Sequence, residues 1–128
     1  MTAAVADFCP SHPADEKIKK NDSSYESVIE LERTEDILSY LGAHKAKGQL
    51  ICGFSMETQN MLENSKAKLA KKNADMIVAN NLKVAGAGFG TDTNVVTVIT
   101  KDAVEELPMM SKEEVADVLL DRIIKARQ

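Results

Sequence analysis

Two stretches carry the fold: Ala3-Ala4-Val5-Ala6-Asp7-Phe8 and Asp75-Met76-Ile77-Val78-Ala79-Asn80. In both, small or branched apolar residues fill successive positions instead of every second one, the pattern of a strand buried on both faces. A third short apolar run, Leu50 to Ser55, reads the same way. Segments of helical periodicity lie between them. Thr34 reads as an N-cap with Glu35 and Asp36 in the first turn; Ile37, Leu38 and Leu41 supply a buried stripe and Gly42 the stop. Thr58 opens a second helix reaching Asn73, with Met61, Leu62, Ser65 and Leu69 on one side. Doubly buried strands separated by helices specify an α/β fold with a mostly parallel sheet in three layers.

The remaining segments are less regular. Cys9 to Glu16 holds two of the three prolines and reads as a loop, and Ser24 to Glu32 as a strand. Val95 to Thr100 alternates and is β-branched, and Glu106 to Met109 is placed antiparallel to it across Lys101-Asp102, as a β extension of the sheet. Ser111 and Glu114 form a capping box ahead of a last helix whose Val115, Val118, Leu119 and Ile123 face inward. No internal repeat or low-complexity segment interrupts the chain, and residues 1–128 read as a single domain.

At 128 residues with 44% apolar content, the chain is long enough to bury a core. No apolar run approaches the roughly 20 residues that span a bilayer, and no signal-peptide pattern is visible. The net charge of −4 gives no reason to expect nucleic-acid binding. Cys9 and Cys52 make no CxxC motif and read as free thiols of a cytoplasmic protein. His12 and His44 have no partners at ligand spacing, so no protein-held metal is expected. A strand-like segment begins at Thr2 with nothing before it to supply a neighbouring strand, so the chain is expected to be a fragment or to borrow that neighbour.

Ligands of open parallel sheets bind beyond the carboxyl ends of the strands. Asp7, Phe54 and Asn80 fall there, although an acidic strand terminus is usually just solvated. Lys68 and Lys72 share a helix face at i,i+4 and could flank one chain of phosphates; a solvated surface, which Lys66 and Lys71 suggest, is the plainer reading. Lys17, Lys19 and Lys20 form either an exposed basic loop or a mobile clamp over a polyphosphate. The loop from Gly86 to Gly90 reads GAGFG and is followed by a β-branched strand, so it is no dinucleotide fingerprint.

The series Ala4-Val5-Ala6-Asp7-Phe8, Lys17-Ile18-Lys19-Lys20, Glu35-Asp36-Ile37-Leu38, Gly53-Phe54-Ser55-Met56-Glu57-Thr58, Asp75 to Asn80 and Gly88 to Asn94 resembles phosphopantothenate–cysteine ligase, over the second half of that domain. The resemblance implies a Rossmann-like fold and coenzyme A biosynthesis. CTP with Mg2+ would activate the carboxylate of 4′-phosphopantothenate as an acyl-cytidylate, and the amine of cysteine would then form the amide. It further implies nucleotide contacts at Ala3, Asp7, Lys17, Glu35, Asp36, Ile37, Leu38, Phe54, Lys68 and Lys72. Lys17 would be catalytic, stabilising charge on the phosphates or the intermediate. Ala4 and Asn80 would meet substrate, a homodimer is implied, and a flavin (FMN) decarboxylase domain could be fused upstream. Phe8 replaces the usual Tyr, Cys9 a common basic residue, Glu35 a frequent Pro, and Asn81 a frequent Asp. The family's glycine-rich first βα turn, and the asparagine and arginine that handle the acyl intermediate, have no counterpart, so this chain alone is expected to bind nucleotide weakly or not at all and to be inactive as a ligase. The alternatives are a non-catalytic nucleotide-binding or dimerisation module and, more remotely, a redox protein built on Cys9 and Cys52.

Overall fold

A computed structural model describes residues 5–17, 28–57, 60–81, 84, 87 and 90–127. They form two compact units, Met1–Asp36 and Ile37–Gln128.

In the first unit, β1 (Phe8–Pro10) pairs antiparallel with β2 (Leu31–Arg33), Cys9 opposite Glu32. The ribbon is extended at one end by the Ser11 N–H donating to the Glu30 carbonyl (3.0 Å) and at the other by the Thr34 N–H donating to the Asp7 carbonyl (3.1 Å). The Thr34 hydroxyl donates to the carbonyl of Ala6. Three expectations change here. Residues 2–4 of the expected Thr2–Ala6 strand lie outside the described residues, and Val5, 52% exposed, and Ala6 belong to no strand. Extended backbone begins at Phe8 instead and runs into the Cys9–Glu16 segment read as a loop, because Leu31–Arg33 offers it a partner; Pro10 ends the strand, where a missing donor is tolerated. The Ser24–Glu32 strand shrinks to Leu31–Arg33: residues 24–27 lie outside the described residues, and Val28 and Ile29 are exposed.

The second unit begins with α1 (Ile37–Ala43), β3 (Cys52–Glu57), α2 (Met61–Lys71) and β4 (Met76–Asn81). It continues with β5 (Thr93–Asn94), β6 (Val96–Thr100), β7 (Val104–Glu106), β8 (Met110–Ser111) and α3 (Lys112–Ala126). The main sheet has the order β3-β4-β6-β7, and β5 pairs with β8 apart from it. Only β3 and β4 are parallel; β4–β6 and β6–β7 are antiparallel, so the sheet is mixed rather than mostly parallel. The reason lies in the connections. A parallel pair needs a long crossover, and α2 supplies one between β3 and β4. The Lys101-Asp102 turn is too short for anything but an antiparallel return, which arrives at Val104–Glu106, two residues earlier than the sequence suggests.

Strand β4 is the centre. Ile77, Val78 and Ala79 are fully buried, flanked on one side by β3 and on the other by β6. Ile77 and Ala79 pack with Ile99 and with Leu69 of α2, joined by Leu38 of α1. Met76 and Val78 pack with Val96, Val98 and Leu107, and with Val115 and Leu119 of α3. Alternation along β4 therefore separates two half-cores, α1 and α2 on one face and α3 on the other. Each buried Val or Ile contributes about 1.5–3 kcal/mol by leaving water.

The helix ends also correct the sequence reading. Helix α1 starts at Ile37, so Glu35 and Asp36 precede its first turn. Gly42 does not stop α1 but lies buried within it: a Cβ there would stand 1.8 Å from the Lys72 carbonyl oxygen. Asn73, held at φ 47°, donates its side-chain amide to the Gly42 carbonyl at 2.9 Å. Thr58, the expected start of α2, lies outside the described residues, and the helix runs from Met61; Leu62 is exposed rather than buried. The capping box forms as expected, the Ser111 N–H donating to Glu114 (2.7 Å) and the Glu114 N–H to the Ser111 hydroxyl (3.1 Å).

Gly42→Ala is expected to cost about 3 kcal/mol or more, because a backbone carbonyl cannot yield as a flexible side chain can; urea unfolding measures it. Ser111→Ala should cost about 1 kcal/mol through the lost cap. The Ser111 backbone N–H holds the Glu114 carboxyl below its ordinary 4.5, and the Arg122 guanidinium, 2.7 Å from Glu105, does the same there. Both carboxyls are more acidic folded than unfolded. Their stabilising share is therefore complete above the ordinary carboxylate range and disappears as pH falls through the folded values. Melting temperature should decline below about pH 4.5, less steeply in a Glu105→Gln, Glu114→Gln double variant.

Candidate functional site

The parallel pair β3–β4 places Met56 opposite Asn80 and Glu57 opposite Asn81, so both strands end at one rim. Since α2 connects parallel neighbours, it runs back against them, with its N-terminus towards that rim. Side chains on a helix lean towards its N-terminus, so long residues on the later turns of α2 reach back along the sheet. Lys68 and Lys72 do so. The Lys68 ammonium donates to the Ser55 hydroxyl of β3 at 3.3 Å, and the Lys72 ammonium to the Ser39 hydroxyl of α1 at 2.8 Å. Both lysines are half-buried, whereas Lys66 and Lys71 of the same helix are exposed. Burying an ammonium costs free energy unless polar partners compensate, which sets this pair apart from a solvated face.

Leu38 frames the same corner, its side chain within 2.8 Å of where a Gly53 Cβ would stand; glycine at that position lets α1 approach β3. Ile37 is half-buried on α1. Phe54 belongs elsewhere: strand alternation turns it, with Met56 and Asn80, towards the face covered by α3, opposite Ser55 and Lys68. It is 65% exposed. The Asn80 side-chain oxygen accepts from the Asn94 amide at 3.2 Å, and the Asn94 side-chain oxygen accepts from the Val95 N–H at 2.9 Å. That chain ties the end of β4 to the start of β6. Cys52 sits half-buried on the α3 face, where burial pushes its thiol up and makes it a poor nucleophile.

In the first unit Asp7, Lys17, Glu35 and Asp36 are exposed. Ala3, Ala4, Ile18, Lys19 and Lys20 lie outside the described residues, as do Gly88 and Phe89 of the later loop. Cys9 and Cys52 are both free thiols. Among the described residues no three His, Cys, Asp or Glu side chains cluster, and no helix is long and apolar enough to cross a membrane. Sequence reading missed Ser39 and Ser55. Ser55, a hydroxyl in an apolar strand, was the one detectable signal; Ser39 meets Lys72 across 33 positions of sequence and had none.

Two ammoniums, each donating to a serine hydroxyl, offer donors suited to an anion with several oxygens. The sequence matches the DNA/pantothenate metabolism flavoprotein C-terminal domain over residues 1–126, and the chain belongs to that family. It is 50% identical over 123 residues to the coenzyme A biosynthesis bifunctional protein CoaBC of Bacillus subtilis, covering 95% of this chain and 30% of that protein. It is also 46% identical over 125 residues to a cysteine/cysteine sulfinic acid decarboxylase from an unknown prokaryotic organism, covering 97% of this chain and 34% of that one. The crystal structure of the C-terminal domain of a CoaBC protein superposes with a TM-score of 0.65 at 52% identity, covering 76% of this chain and 46% of that chain. The chain thus spans about a third of the length of the curated relatives it matches.

Proposed function

We propose that this chain is the nucleotide-handling part of a CTP-dependent phosphopantothenate–cysteine ligase, Rossmann-like in its complete form and working within a longer, dimeric polypeptide. The observation that carries the reading is the half-buried pair of Lys68 in α2 and Lys72 at its C-cap, whose ammoniums donate to the hydroxyls of Ser55 in β3 and Ser39 in α1. Lys68 and Lys72 grip the triphosphate, whose Mg2+ arrives with it. The phosphopantothenate carboxylate attacks the α-phosphorus and pyrophosphate departs. The cysteine amine then attacks the acyl carbon, releasing CMP and leaving the amide. Lys17 neutralises charge on the phosphates during the first step, and Asp7, Glu35, Asp36, Ile37, Leu38 and Phe54 contact the nucleotide; Asn80 meets the acyl substrate.

A second reading, an association module, is favoured by one feature. Among the described residues strand β3 ends its four-stranded sheet, with Phe54 and Met56 exposed on it, and an end strand can pair with another chain.

Calorimetric titration with CTP and Mg2+ separates the two. Lys68→Ala and Lys72→Ala should each weaken binding about tenfold or more, the worth of a charge-assisted contact. Lys17→Ala should slow pyrophosphate release from CTP, 4′-phosphopantothenate and cysteine in the longer polypeptide. Nucleotide affinity indifferent to both α2 lysines, with concentration-dependent self-association, would replace the ligase reading by the module.

A further inference from the structure

We infer that Ser39 and Ser55 are positioning residues that hold the Lys72 and Lys68 ammoniums at two fixed points along one polyphosphate. The inference rests on the ligase reading and names the residues that make its lysine pair selective for a phosphate chain.

A lysine is a point charge on a flexible four-carbon stem, and ordering that stem opposes binding. A lysine already seated on a hydroxyl has met that opposition during folding, so the ligand gains more from the contact. Here each seat is itself fixed. Ser55 is 3% exposed within β3, whose pairing to β4 sets its height. Ser39 rides on α1, which is locked to the end of α2 by the close approach of Gly42 to the Lys72 carbonyl and by the Asn73 amide on the Gly42 carbonyl (2.9 Å). The same carbonyl that Gly42 must accommodate belongs to the lysine that Ser39 seats. Backbone and side chain of Lys72 are therefore constrained by one helix. Because Lys68 and Lys72 lie one turn apart while their seats come from two elements, the spacing between the charges is set by the packing of α1 against β3, not by α2 alone. Such a pair favours a ligand with two or more linked phosphates over a single phosphate.

The experiment compares steady-state kinetics of Ser39→Ala, Ser55→Ala and Ser39→Thr with Lys68→Ala and Lys72→Ala, in the longer polypeptide with CTP as the varied substrate. Each serine-to-alanine change should raise the KM for CTP about fivefold, the worth of one net hydrogen bond, with kcat within about twofold. Ser39→Thr, which keeps the hydroxyl, should restore the KM. In a Lys72→Ala background Ser39→Ala should add less than about twofold, since its partner is already gone. Inorganic triphosphate should inhibit competitively against CTP and lose potency in the serine variants, while inorganic monophosphate should be insensitive to them. Serine variants with unchanged KM beside lysine variants that raise it would overturn the positioning role and leave the ligase reading standing. So would a Ser39→Ala effect that multiplies fully with Lys72→Ala. Lysine variants without effect on KM would remove the ligase reading, and this inference with it.

Discussion

Strand β4 can present neither face to water, and the arrangement of the second unit follows from that constraint. Ile77, Val78 and Ala79 are fully buried, so each face of β4 must be covered, and alternation dictates which residues meet which cover. Ile77 and Ala79 require α1 and α2; Met76 and Val78 require α3. The crossover from β3 must pass over one of these faces, which is how α2 comes to lie antiparallel to the two strands with its lysines reaching back along them. The placement of the two lysines is thus a consequence of where a hydrophobic strand is allowed to sit.

Helix α1 is too short, at seven residues, to be stable by its own hydrogen bonds. It is held by what it touches. Gly42 against the Lys72 carbonyl and the Asn73 amide on Gly42 fasten its C-terminal end to the end of α2, and Leu38 fills the space left by Gly53. Two glycines therefore set two distances, α1 to α2 and α1 to β3. Asp75 works the same seam from the other side, accepting from the Ile51 N–H (2.8 Å) and from Lys45 (2.5 Å) just before β4 begins. Its carboxylate fixes the entry of β3 and β4 together, so the register that aligns Met56 with Asn80 is pinned at its start.

Much of this was legible in the chain. The continuous apolar run Met76–Ala79 announced a doubly buried strand, and Ser111 with Glu114 announced the cap of α3, because both signals are local. The errors were those where long-range packing decides. Gly42 looked like a helix stop, the commonest use of glycine at such a place, and only a carbonyl 30 positions later reveals why it is there. The sheet reads as mostly parallel with an antiparallel extension because doubly buried strands usually are parallel; the extension forms across Lys101-Asp102, but β6 already lies antiparallel to β4, which no local pattern indicates. The lysine pair was found by spacing, but spacing gives only a shared face. The choice between solvated surface and held charge turned on Ser39 and Ser55, which no pattern within α2 could indicate.

Phe54 poses the remaining geometric question, since alternation puts it on the face opposite Ser55 and Lys68. In a central strand that would separate the two completely, because a whole sheet would lie between them. Among the described residues, however, strand β3 ends its four-stranded sheet, and the two faces of an end strand border the same rim. A ligand lying along that rim can meet an aromatic ring on one side and ammoniums on the other. A nucleotide has this division built in, a planar base at one end and charged oxygens at the other. Opposite faces are then an argument for a ligand whose two ends differ in chemistry, and against a compact anion, which would need only the lysine side.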